Sequence, residues 1–201
     1  IINQVQKVFG SSYNHIINKK TIKTRNLQIE EYKKVLESLK TQPIIVQRSD
    51  EWYNVRNSLI TASDFAQCLG KGKFGSQKQF YANKCGYEVN KIDFNLPPLQ
   101  WGVRYEEVAK KVYEHNMNVF VHEFGLLKHP TIDFIGASPD GISENGVMLE
   151  IKCPWKRKKT ETIPEQYYYQ IQGQLEVCNL EECDYIECYF KEFCSEQDFI
   201  E

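Results

Sequence analysis

At 201 residues and 23.6 kDa the chain has room for one domain with a small appendage. Its 41% apolar and 26% charged residues exclude a disordered or fibrous chain, and no apolar run reaches the roughly 18 residues of a membrane-spanning helix. The net charge of -2 conceals an asymmetry. From Glu176 to Glu201 there are nine acids and one base, Lys191, which leaves 24 bases against 18 acids in residues 1–175 and room for a basic face there.

Residue 1 is Ile and no basic-then-apolar leader follows, so no targeting signal is expected. Residues 1–27 are polar, with bases at Lys19, Lys20, Lys23 and Arg25, and read as a peripheral arm. Leu27 to Leu39 places Ile29, Tyr32, Val35, Leu36 and Leu39 on one stripe, which predicts an amphipathic helix ended by Pro43. Residues 1–45 thus form a helical arm ahead of a main unit over 46–201. Ile44-Ile-Val46 leads into a short helix over Asp50 to Ser58. Thr61-Ala-Ser-Asp64 reads as a helix start, because its hydroxyls and carboxylate can accept from free amides, and Gly70 as the stop. Lys71-Gly-Lys-Phe-Gly75 is a basic, glycine-rich loop without the Gly-Lys-Ser/Thr ending of a nucleotide-binding P-loop. Helices are predicted over Ser76 to Cys85 and, after the Pro97-Pro98 break, over Gln100 to Asn116.

The period then changes. Val119 to Leu127, Ile132 to Ala137 and Val147 to Cys153 read as strands, with turns at Gly141 and Glu144-Asn-Gly146. A helix over Pro164 to Val177 and a strand over Asp184 to Phe190 follow. This order predicts an α/β or α+β core, a small mixed sheet flanked by helices. The seven Cys are odd in number and contain no CxxC pair, which favours free thiols in a reducing, intracellular compartment. Cys178, Cys183, Cys188 and Cys194 lie at gaps of five, five and six, a poor match to zinc spacing, and read as structural thiols.

Chemistry concentrates in Ser138-Pro-Asp-Gly141 and Leu149-Glu-Ile-Lys152. Glu150 and Lys152 are two apart on one predicted strand and share a face, while Ile151 points the other way. A hairpin from Asp140 back to Glu150 brings both carboxylates to one end of the sheet. Two carboxylates and a backbone carbonyl make a hard-oxygen site suited to Mg²⁺ or Mn²⁺. A lysine beside them can orient a water and stabilise phosphate charge. On the preceding helix Glu106 flanks the apolar stripe and can reach this site, Glu107 lies nearly opposite, and Gly102 leaves room one turn earlier. On spacing alone, a turn-forming Asp140 and a surface pair of Glu150 with Lys152 explain the pattern about equally well.

These segments resemble the PD-(D/E)xK nuclease superfamily, and more narrowly the lambda exonuclease and YqaJ-type viral recombinase family. The resemblance rests on Trp52, Arg56 and Ile60-Thr-Ala-Ser63, Trp101-Gly-x-x-Tyr-Glu106, Ala137-Ser-Pro-Asp-Gly141, Leu149-Glu-Ile-Lys-Cys-Pro154 and Tyr169-Gln-Ile-Gln172, in the family's order over about residues 48–190. It implies a restriction-endonuclease-like core. It also implies that Asp140, Glu150 and the Ile151 carbonyl hold the metal, that Glu106 acts from the helix, that Lys152 is the catalytic lysine, and that Gln170 is the helix glutamine near the site. Arg56, Thr61, Ser63 and Ser138 resemble the family's pocket for a terminal 5′-phosphate. The implied activity is Mg²⁺-dependent degradation of one strand of duplex DNA from a 5′ end, in recombination, repair or replication of a viral type. A strand-annealing protein often works beside such enzymes, and the lambda type forms a homo-oligomeric ring. Alternatives within the superfamily are a structure-specific endonuclease and an RNA-cleaving alkaline nuclease; a module that grips DNA ends without cutting is a third. Beyond the motifs, Lys156, Arg157, Lys158 and Lys159 follow the Lys152 strand and are expected to contact phosphates. Trp155 and Tyr167-Tyr-Tyr169 read as packing residues, and the four His show no ligand spacing.

Overall fold

A computed structural model describes residues 12–16, 22–87, 95–159 and 161–200, the first of these segments and 22–27 by main chain alone. In chain order the elements are β1 (Ser12–Ile16), α1 (Ile22–Lys40), α2 (Asp50–Asn57), β2 (Ile60–Thr61), a 3-10 turn (Ala62–Asp64), α3 (Phe65–Cys68), α4 (Gln77–Lys84), α5 (Pro97–Met117), β3 (Val121–His122), β4 (Leu127–Lys128), β5 (Ile135–Ala137), β6 (Gly141–Ser143), β7 (Met148–Lys152), α6 (Glu165–Cys178), β8 (Cys183–Glu187) and α7 (Glu196–Ile200). Local chemistry explains several boundaries. Ser49 and Ser76 cap α2 and α4 by accepting from Trp52 N and Gln79 N. Pro97 and Pro98 lie inside the first turn of α5 rather than before it, because the first turn has no use for their missing N–H groups.

The strands form two small mixed sheets instead of one. One has the order β1-β8-β7-β6-β3 and the other β2-β5-β4. The apolar run read as a single strand over 119–127 is divided between them, β3 going to the first and β4 to the second. The segment read as a turn at Gly141 begins β6, which pairs antiparallel with β7 in the register Gly141–Leu149 and Ile142–Met148. β7 in turn runs parallel to β8, with Glu150 opposite Tyr185 and Lys152 opposite Glu187. Part of the expected N-terminal arm joins the sheet: β1 pairs antiparallel with β8 at the edge. Residues 1–11 and 17–21 of that arm, including Lys19 and Lys20, lie outside the described residues.

Both faces of the larger sheet are covered. On one, Met148, Ile142 and Tyr185 pack with Ile171, Leu175 and Cys178 of α6 and with Tyr32, Leu36 and Leu39 of α1. The predicted stripe of α1 is therefore its buried stripe. On the other, Leu149, Ile151 and Ile186 pack with Ala109 and Tyr113 of α5. Gly146 holds the β6–β7 turn at φ +74°, and any side chain there would overlap Tyr32 of α1. All seven Cys are free. Four are buried, and burial pushes Cys178 up to about 12 and Cys188 up to about 11, so these thiols stay protonated and inert. Among the described residues no helix is long and apolar enough to cross a membrane.

Candidate active site

The β6–β7 hairpin builds the centre of the site. One step beyond the Gly141–Leu149 pair, the antiparallel register sets Asp140 across from Glu150. Asp140 Oδ2 accepts from Ile151 N–H at 2.6 Å. In an extended strand a residue's N–H and C=O point to the same edge, so the Ile151 carbonyl opens on the side of Asp140. Glu150 is 0% exposed, because its face of β7 is roofed by α6. Lys152, on the same face, pairs with Glu150 Oε1 and stacks its ammonium 5.0 Å from the Tyr167 ring centroid.

Electrostatics distinguishes this cluster from a surface pair. Burial, then the Glu150 charge, pushes the Asp140 carboxyl well above the ordinary aspartate range. Burial alone would favour loss of the Lys152 proton, but the Glu150 and Asp140 carboxylates outweigh it and hold the ammonium above its usual range. Glu106 on α5 adds to the negative potential at Asp140. Its Oε2 accepts from Arg48 Nη2 at 3.2 Å, and Arg48 adopts φ +65°, a conformation few arginines take. Glu107 faces outward and pairs with Lys110 and Lys111. Among the described residues no three His, Cys, Asp or Glu side chains converge closely enough to hold a metal by themselves. What fits a hard cation is the pair Asp140 and Glu150, with the Ile151 carbonyl on the same side. Two desolvated carboxylates repel each other, and a divalent ion relieves that repulsion.

A second cluster surrounds Arg56, at the end of α2. Its Nη2 donates to Ser63 Oγ at 2.8 Å, and its guanidinium lies 4.9 Å from the Trp52 ring centroid. Trp52 Nε1 donates to Ser138 Oγ at 3.2 Å, so the indole joins Arg56 to the turn that carries Asp140. In the sequence Trp52 stands out only as part of the family pattern. Thr61 behaves differently from the expected phosphate ligand. It is 1% exposed, and its hydroxyl donates to Asp64 Oδ2 while the same carboxylate caps Thr61 N–H. The following helix is a three-residue 3-10 turn and four residues of α3, too short to lend much dipole. The two cations of this cluster both face Asp64, Arg56 at 3.6 Å and Lys84 at 3.5 Å, and Lys84 also donates to the Leu59 carbonyl at 2.5 Å.

The basic run divides. Lys156, Lys158 and Lys159 are exposed, Lys156 over the Trp155 ring at 4.0 Å. Arg157 turns inward to buried Glu187 and stands 5.3 Å from the Tyr167 centroid. The glutamine that touches Glu150 is Gln174: its Nε2 donates to Glu150 Oε2 at 2.8 Å. Gln170 lies one turn earlier on α6 and is partly buried. A polar residue on the apolar stripe Ile171, Gln174, Leu175, Cys178 was the available signal for Gln174.

Several known proteins resemble this chain. An uncharacterised protein of Acanthamoeba polyphaga mimivirus is 30% identical over 183 residues, which cover 82% of this chain and 33% of that protein. A protein of African swine fever virus is 27% identical over 164 residues, 64% of this chain and 45% of the relative. The chain therefore spans a third to a half of the viral relatives it matches. Among solved structures, an alkaline exonuclease (LHK-Exo) from Laribacter hongkongensis superposes with a TM-score of 0.58 at 28% identity, covering 69% of this chain and 73% of that one. LHK-Exo in complex with dAMP gives 0.57 at 26% identity, covering 75% and 78%. The family profile described as a YqaJ-like viral recombinase domain matches residues 51–181, a span that runs from α2 to just beyond α6 and contains Arg56, Glu106, Asp140, Glu150 and Lys152. The chain belongs to the YqaJ-like viral recombinase domain family.

Proposed function

We propose that this chain is a Mg²⁺-dependent exonuclease that degrades one strand of duplex DNA from a 5′-phosphorylated end, with Mn²⁺ an alternative ion. The observation that carries the reading is the pair of half-buried Asp140 and fully buried Glu150, set opposite each other by a hairpin and flanked on the same face by Lys152. The structural neighbours being alkaline exonucleases, one of them solved with a mononucleotide, supports it.

Asp140, Glu150 and the Ile151 carbonyl would hold the ion, which when bound polarises the scissile phosphate and supplies hydroxide near neutral pH. Lys152 presents N–H donors to the charge that develops on phosphate oxygen. Glu106, released from Arg48, orients the attacking water, and Gln170 faces the nucleotide. Arg56 and Ser63, with Ser138 and Thr61 behind them, take the terminal phosphate, and the planar guanidinium fork suits its oxygens. Lys156, Lys158 and Lys159 attract the flanking backbone. A strand-annealing protein and a homo-oligomer are the proposed partners.

The test compares linear duplexes with 5′-phosphate and 5′-hydroxyl ends, a nicked circle and an RNA duplex, with and without Mg²⁺. Mononucleotides released from the phosphorylated linear duplex only with Mg²⁺ is the expected result. Long internal fragments would move the assignment to an endonuclease, preferred cutting of RNA to the alkaline-nuclease type, and end binding without cleavage to a binding module.

A further inference from the structure

Gln174 has no part in the steps above, yet it is the side chain most tightly engaged with Glu150 after Lys152. It is 1% exposed on the inner face of α6. Its Nε2 donates to Glu150 Oε2 at 2.8 Å and reaches the Ser138 carbonyl at 3.4 Å, while its Oε1 is buried without a partner. The sense of the amide is fixed, because turning it over would set its oxygen against two acceptors. α6 can approach this closely because Gly173 is bare: a Cβ there would lie 2.6 Å from Phe65 and 3.1 Å from Ala62. Glu150 is thus gripped on both oxygens, by Lys152 on Oε1 and by Gln174 on Oε2. A buried acceptor left without a donor is destabilising and stands out from ordinary packing.

We propose that Gln174 is a positioning residue of the metal centre. Its Nε2 fixes the plane of the Glu150 carboxylate and ties it to the turn that carries Asp140, and its Oε1 accepts from a water that enters with the cation. The proposal rests on the reading that Asp140 and Glu150 hold Mg²⁺ or Mn²⁺. Partners that orient ligating carboxylates typically contribute 10- to 100-fold to metal affinity.

The experiment titrates Mn²⁺ into the full chain by calorimetry, without DNA, for wild type, D140N, Q174M, Q174H and Q174S. Wild type binding and D140N failing to bind upholds the metal reading; no binding by wild type, or equal binding by D140N, overturns that reading itself. Given wild-type binding, Q174M, which fills the same space without a donor, should bind roughly 10- to 100-fold more weakly. Its cleavage should recover when metal is raised in proportion, so that the metal requirement moves and the rate at saturation does not. Q174H, which restores one N–H donor, should lie between. Q174S is too short to reach Glu150 and leaves room for water, so it reads the same quantity if Q174M does not fold. Wild-type Mn²⁺ affinity in a folded Q174M or Q174S overturns the role of Gln174.

Discussion

Among the described residues two lysines are each flanked by two carboxylates, and only one belongs to the proposed active site. Lys152 has Glu150 and Asp140, and Lys110 has Glu107 and Glu123. The lysines are alike: burial works against each ammonium, and the acids outweigh it and raise both. The acids differ. Glu107 and Glu123 have side chains 52% and 69% exposed, one on the lysine's own helix and one in the chain just after β3. Water solvates them, and hydrogen bonding to Lys110 lowers Glu107, as in any ion pair. Glu150 and Asp140 are held by a hairpin under α6, and there Asp140 is raised. The desolvated acids repel each other where the solvated ones do not, and a divalent ion would relieve that repulsion.

The largest effect is expected from deleting the acids. D140A or E150A should lower cleavage by about three orders of magnitude, since the bound ion supplies several kcal/mol and each 1.36 kcal/mol is tenfold. DNA binding, measured in Ca²⁺ by anisotropy, should largely survive. K110M should leave the cleavage rate within about twofold of wild type, because Lys110 stands outside the reaction. Full cleavage by both acid variants would remove the distinction between the two triads.

The lysines sharpen it further. K152A should reduce turnover at saturating DNA by about 100-fold, the usual loss of a preorganised charge donor. K158A should chiefly weaken DNA binding and lower its salt slope by about one, because an exposed lysine acts through counterion release. Equal losses of turnover in both variants would mean that Lys152 has been given the wrong role. At the Arg56 cluster, R56A should erase most of an approximately tenfold preference for 5′-phosphate over 5′-hydroxyl ends, since one charge-assisted contact contributes about 1.5–3 kcal/mol. Initial rates on the two ends measure it.

The smallest effect lies in the metal-free protein. The folded chain keeps the Asp140 proton to a higher pH than the unfolded chain does. Stability should therefore fall as pH rises from the ordinary aspartate range through the raised folded value. D140N carries no charge to repel Glu150 and should flatten that fall, raising the metal-free midpoint by about 3 °C near neutral pH, the size expected for about 1 kcal/mol. Excess Mn²⁺ should reverse the order of the two proteins. Thermal melts across pH with a chelator present would decide; a midpoint for D140N below wild type would show that Asp140 stabilises the fold instead.

Features that depend on near neighbours are legible in the sequence. Ser49 and Ser76 at their helix starts, the Asn145-Gly146 turn and the stripe of α1 all follow from rules that operate over a few residues. The shared face of Glu150 and Lys152 follows from the period of two along a strand, and the placement of Asp140 across from them from a hairpin's antiparallel register. Tertiary structure decided the rest. The run over 119–127 reads as one strand because periodicity cannot say which sheet each half will join, and the three-residue β6 starts at a glycine that reads as a turn. β1 is polar and finds its place only when β8 offers an edge. Arg157 leaves the basic run because Glu187, 30 residues on, is buried beside it, and the Thr61 hydroxyl is taken by Asp64. The burial of Glu150 has no local signal at all. Its residue type predicts solvent, and it stays dry because α6 roofs one face of the sheet, α5 covers the other, and Gln174, which only the fold brings to β7, joins neighbouring Lys152 in satisfying its oxygens.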